Sequence, residues 1–172
     1  MQWRWLTVVA LVPLQLALAG QLEGQTSVQD RRATLAFGVG NSLGVLGTQV
    51  EWYFADRISG FGGLGLTPSQ VDEEIGGLTF ATGIRGYTGG YRHRAFLELS
   101  LSEVAIKTYF WPSHRDDERV YGPGLQAGYQ FAAYGGFTVN ASVGVGYGLS
   151  DNPTGSRFQP LLGLGFGYTW RR

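Results

Sequence analysis

Three charged residues, Glu51, Arg85 and Glu98, stand inside stretches that are otherwise apolar or rich in glycine. A charge removed from water persists only when paired and hydrogen-bonded. Held together, the three would make a polar plug; able to exchange partners, they would make a gate for ions or small solutes. A second group, Ser113-His114-Arg115-Asp116-Asp117, supplies the residue types of an acyl hydrolase or transferase: nucleophile, imidazole base and carboxylate. Adjacent residues on one loop rarely point at a common centre, however, and nothing nearby reads as a rigid scaffold. His93 lies between Arg92 and Arg94 with no neighbouring serine, so both histidines read as surface residues. The run Asp72-Glu73-Glu74 lacks the alternating ligands and turn glycine of a calcium loop, and reads as a solvated charge run. No metal ligand set and no cofactor motif is expected.

Composition narrows the setting. The chain has 172 residues, no cysteine, two histidines, 28 glycines and 24 aromatic residues. No disulfide or thiolate site can form, and an imidazole-based zinc site is improbable. Thirteen basic residues balance thirteen acidic ones. That balance argues against nucleic acid as a partner, which would require a basic excess.

Residues 1–19 read as a secretory signal peptide, with Arg4 as its positive end, an apolar stretch from Leu6 to Leu18, and Ala17-Leu18-Ala19 at the cleavage position. The apolar run is short of the roughly 20 residues a spanning helix needs. Residues 20–32 are polar and without periodicity, and read as an N-terminal tail.

From residue 33 the period is two. Leu162, Leu164, Phe166, Tyr168 and Trp170 share one parity, while Gly163, Gly165, Gly167 and Thr169 share the other. Alternation of this kind makes a strand with two unlike faces. The pattern predicts eight strands, near 33–40, 45–55, 57–66, 78–87, 94–104, 120–132, 136–149 and 158–170. Tight turns at 55–57, 88–90 and 133–136 alternate with longer connections at 67–77, 105–119 and 150–157. After Leu101 the alternation inverts, because Val104 and Ile106 take the parity of Glu98; a bulge near Ser102-Glu103 or an exit from the membrane would explain it.

The bulky face must be assigned inward or outward. The opposite face is dominated by Gly, Ala, Ser and Thr, which suits the narrow interior of an eight-stranded barrel. The bulky residues then point out, and an apolar exterior this large exceeds the roughly few hundred Å² that soluble monomers expose. Hydrocarbon is therefore the expected surroundings. Glu51, Arg85 and Glu98 all fall on the small-residue face, where they form the expected lumen cluster. Aromatic residues gather at two levels. Trp52, Phe54, Tyr87, Tyr168 and Trp170, with Phe131, Tyr134 and Phe137, are expected at the membrane interface on the tight-turn side. Phe80, Tyr109, Phe110, Trp111, Tyr121 and Phe158 are expected at the other.

A signal peptide, eight alternating strands, short turns opposite longer loops, and a terminal Phe166-x-Tyr168-x-Trp170 resemble the small outer-membrane β-barrels of the OmpA membrane domain, OmpX and OmpW type. The fold expected is an all-β, closed, up-and-down, eight-stranded antiparallel transmembrane barrel over residues 33–172. The resemblance implies a Gram-negative outer membrane after signal cleavage. It also implies, as partners, membrane lipid, lipopolysaccharide and the barrel-assembly machinery. The expected role is structural, adhesive or interaction-based, through the outer loops. The alternative is a narrow conduit or binding site for a small apolar ligand, in voids left by inward glycines. A lipid A-modifying enzyme is a third reading; the sequence shows no motif of those enzymes, and no enzyme is expected.

Overall fold

The computed structural model describes residues 31–40, 44–68, 75–90, 92–104, 120–149 and 157–171. The expected signal peptide, most of the tail, and the Asp72–Glu74 and Ser113–Asp117 groups lie outside the described residues. Eight strands follow in order: β1 Arg31–Gly40, β2 Gly44–Ala55, β3 Ile58–Pro68, β4 Ile75–Gly89, β5 His93–Glu103, β6 Tyr121–Ala132, β7 Phe137–Tyr147 and β8 Phe158–Arg171. Each pairs antiparallel with the next, and β8 returns to β1, so the barrel is closed. Closure removes the exposed strand edges that an open sheet would present.

The first strand begins at Arg31, inside the stretch expected to be tail, because Arg31 pairs with Arg171 of β8. Two of the tight turns fall where expected, while β4 runs on through Thr88 and Gly89, so its connection to β5 begins later than the expected 88–90. Asp56 and Arg57 join β2 to β3. Gly136 closes the β6–β7 turn at φ +91°, a conformation that glycine adopts without strain, and donates its N–H to the Ala133 carbonyl at 3.0 Å.

No bulge occurs near Ser102-Glu103. The β5–β6 register runs unbroken from His93 to Glu103, and the Val104 N–H donates to the Val120 carbonyl at 2.9 Å. The ladder is unbroken, but the alternation of burial ends here, since Ser102, Glu103 and Val104 are all buried. Val104 is fully buried near Leu161, and both fill the space above Gly146, where an added methyl group would meet each of them. Ile106 lies outside the described residues.

The two faces have opposite chemistry. Inward positions carry Thr34, Gln49, Glu51, Ser59, Arg85, Glu98 and Gln126, all buried. Outward positions carry Leu97, Leu99, Leu125, Val143, Leu162 and Phe166, all exposed. A soluble barrel has the reverse arrangement.

Candidate functional site

The interior is built in layers, and the central one holds the expected cluster. Arg85 of β4 and Glu98 of β5 are directly paired across the ladder. The Arg85 Nε donates to Glu98 Oε2 at 2.7 Å, and its Nη1 donates to Glu51 Oε2 at 3.2 Å. All three residues are almost wholly removed from solvent. The structure thus brings Glu51, Arg85 and Glu98 into one ion triad.

The rest of the layer saturates the two carboxylates. Glu51 Oε1 accepts from the hydroxyls of Ser59 and Tyr87. Glu98 Oε1 accepts from Gln126 Nε2 at 2.9 Å, and Ser142 donates to the Gln126 carboxamide at 3.1 Å. Gln49 accepts from the Arg85 guanidinium. The chain of contacts therefore links six consecutive strands, β2 to β7. A buried charge held this way has its desolvation offset by several charge-assisted bonds.

Two phenylalanines sandwich the guanidinium. Arg85 Cζ lies 4.7 Å from the Phe61 ring centre and 4.8 Å from that of Phe96. Both rings are buried, and inward glycines accommodate them. A methyl group on Gly83 would lie 2.8 Å from Phe61, and one on Gly128 would collide with Phe96. The glycines that could have left an apolar void are instead filled by these rings. The structure gives no support at this level to a small apolar ligand in the lumen.

Tyr87 corrects the expectation for the interface aromatics. It is 3 % exposed and points inward, with its hydroxyl on Glu51. Its parity is that of Arg85, so the pleat dictates this direction, whatever its distance from the rim. Among the others expected at that interface, Trp52, Phe54, Tyr168 and Trp170 do point outward.

A second layer closes the tight-turn end and went unrecognised in the sequence. Thr169 bonds to Thr34 at 2.8 Å and to Thr138 at 2.7 Å, joining β8, β1 and β7. The Arg31 Nη1 donates to Gln130 at 2.7 Å, and the Arg94 Nη2 donates to the Asp56 carbonyl at 2.8 Å. Arg94 also lies 3.8 Å over the Tyr87 ring and 5.5 Å over Tyr53. Between them the two layers tie all eight strands across the interior. The signal that could have found Arg94, Gln126 and Gln130 is the same parity that located Glu98.

His93, expected at the surface, is the first residue of β5 and is half-buried. Its Nδ1 meets the Tyr129 hydroxyl, and its ring packs 5.2 Å from Phe131. Among the described residues no group of three or more His, Asp or Glu could hold a metal ion.

The outer wall carries a concavity of its own. A groove of about 490 Å³ runs over β2, β3 and β4, lined by Val50, Trp52, Phe54, Gly60, Gly62, Thr82 and Ile84 among others.

No protein-family model matches the chain, and no curated protein matches it. Solved structures do. The crystal structure of the N-terminal β-barrel domain of Pseudomonas aeruginosa OprF superposes with a TM-score of 0.54 at 16 % identity, over 83 % of this chain and 100 % of that one. The backbone structure of the Yersinia pestis outer membrane protein Ail in a phospholipid bilayer nanodisc matches with a TM-score of 0.42 at 14 % identity, over 81 % of this chain and 99 % of that one. With eight antiparallel strands closed in sequence order, and with the OprF domain as a structural counterpart, the chain has the fold of the small eight-stranded outer-membrane barrels.

Proposed function

We propose that this chain is an outer-membrane barrel of a Gram-negative bacterium, and that it acts as a structural or interaction module through its outer loops. One observation carries the reading: a barrel with a bulky apolar exterior encloses a polar interior sealed by its own side chains. Water would not tolerate that exterior, whereas hydrocarbon requires it. An interior this full has no role as a wide pore, because eight strands leave room for little beyond side chains. Whatever the protein recognises must then meet the loops or the outer wall.

The long connections provide the loops, at 69–74, 104–120 and 148–157, opposite the tight turns. In this reading the tight turns and both ends of the sheet face the periplasm. Adhesion is one form the loop interaction could take; lipopolysaccharide contact is another, and the assembly machinery would read the terminal strand. Epitope insertion tests the arrangement. A tag placed within 105–119 should be labelled by antibody on intact cells, and a tag between Ala133 and Gly136 only after the outer membrane is opened. Labelling of the turn tag on intact cells would overturn the reading.

A further inference from the structure

The groove on the outer wall asks for an occupant, and this inference rests on the outer-membrane reading above. Most outward positions on the eight strands carry a side chain, but β3 presents Gly60 and Gly62 outward, and β4 presents Thr82 beside them. Inward Gly83 and Gly128 have phenylalanine rings packed over them, and outward Gly60 is covered by Phe54; outward Gly62 has no such neighbour. A methyl group on Gly62 would meet nothing within 4 Å, so its place is open space. Trp52 and Phe54 form one wall and Ile84 the other. Phe54 leans its ring against Gly60, where an added methyl group would lie 2.9 Å from it. The floor is without free polar groups at Thr82, whose hydroxyl donates to the Phe61 carbonyl at 3.0 Å.

The groove ends toward the tight β2–β3 turn, and that turn carries opposite charges side by side. Asp56 and Arg57 are both exposed, and neither forms an ion pair with another described residue. We propose that this is a phospholipid site: one acyl chain lies in the groove over Gly62, alongside the Phe54 ring that covers Gly60, and a zwitterionic amine headgroup meets the turn. The phosphate would face Arg57 and the ammonium Asp56.

Three considerations favour this occupant over a second barrel. Phe54 is 72 % exposed and Trp52 59 % exposed, and Phe54 folds over Gly60 while the place beside Gly62 stays open. A flexible chain can pass between such walls; a second barrel wall would be held off by them. The volume lies within the roughly 300–1,000 Å³ of small-molecule sites. Finally, apolar contact alone gives no preference in hydrocarbon, so selectivity must come from packing and from the headgroup, and both are present here.

The test uses the full mature chain, refolded and shown to have a heat-dependent gel mobility shift. The barrel is placed in nanodiscs of equal phosphatidylethanolamine, phosphatidylglycerol and phosphatidylcholine with identical chains, moved to mild detergent, and weighed by native mass spectrometry. One retained phospholipid per barrel is expected, with the ethanolamine lipid enriched about threefold, the scale of an exposed charge pair. Gly62→Leu fills open space and should leave the mobility shift intact while cutting retention several-fold. The double variant Asp56→Asn with Arg57→Gln should keep a retained lipid and lose the headgroup preference. Equal retention by Gly62→Leu, or a dimer without lipid, overturns the proposal while the mobility shift keeps the membrane reading standing. A chain without the shift overturns both.

Discussion

Arg85 and Glu98 face each other across the β4–β5 ladder, and both Nε and Nη2 of the guanidinium approach the same carboxylate oxygen at 2.7 Å. Register places them, burial makes the contact obligatory, and Glu51 takes the remaining Nη1 at 3.2 Å. The interior is therefore organised around one cation shared between two anions.

Removing that cation should be far worse than removing the whole triad. Arg85→Met leaves two buried carboxylates without a counter-charge, at an expected cost of about 3–5 kcal/mol. Adding Glu51→Gln and Glu98→Gln to it should recover most of the loss, since neutral amides need no cation. Urea unfolding in detergent micelles measures both. Equal destabilisation by the single and triple variants would contradict the arrangement.

The Tyr87 hydroxyl donates to Glu51 from within the lumen. Tyr87→Phe removes one donor from a buried carboxylate, with an expected loss of about 1–3 kcal/mol. Trp52→Tyr, which keeps an aromatic ring at the interface on the outer face, should cost less than Tyr87→Phe. The same unfolding curves compare them. A silent Tyr87→Phe would return this residue to the membrane interface.

Gly128 is required because the Phe96 ring occupies the place of its missing side chain. Gly128→Val should destabilise by about 1–3 kcal/mol through overpacking. Phe96→Ala in the same chain should relieve part of that, giving a coupling of about 0.5–3 kcal/mol in a double-mutant cycle. Strict additivity would place the ring elsewhere.

Outward leucines should reject charge. Leu99→Arg, exposed on the outer wall, is expected to cost about 2–4 kcal/mol in a bilayer if it lies near the midplane. On a water-facing surface the same change would cost close to nothing. Unfolding from lipid vesicles reads the difference.

Much of this was legible in the chain because a β-strand has a period of two and no more. Once Leu97 and Leu99 were assigned outward, Glu98 had to be inward, and the same logic placed Arg85 and Glu51. Tyr87 shows where distance misleads: its nearness to the turn suggests the interface, but the parity it shares with Arg85 turns it inward. Val104 shows the complementary point: apolar character near Ser102-Glu103 suggested a bulge, yet the register continues and the interior accepts an apolar layer over Gly146. What parity cannot supply is which inward residues reach one another across the lumen. The contacts of Tyr87 with Glu51 and of Arg31 with Gln130 join non-neighbouring strands, and depend on closure and stagger.

The central claim is that the bulky face meets lipid and the polar network fills the inside. Refolding residues 20–172 in detergent and running boiled beside unboiled samples by SDS gel electrophoresis tests it most directly. The account predicts a heat-dependent mobility shift, with β-rich circular dichroism only when detergent is present. A chain that is soluble and folded without detergent, and that migrates identically before and after boiling, would contradict it.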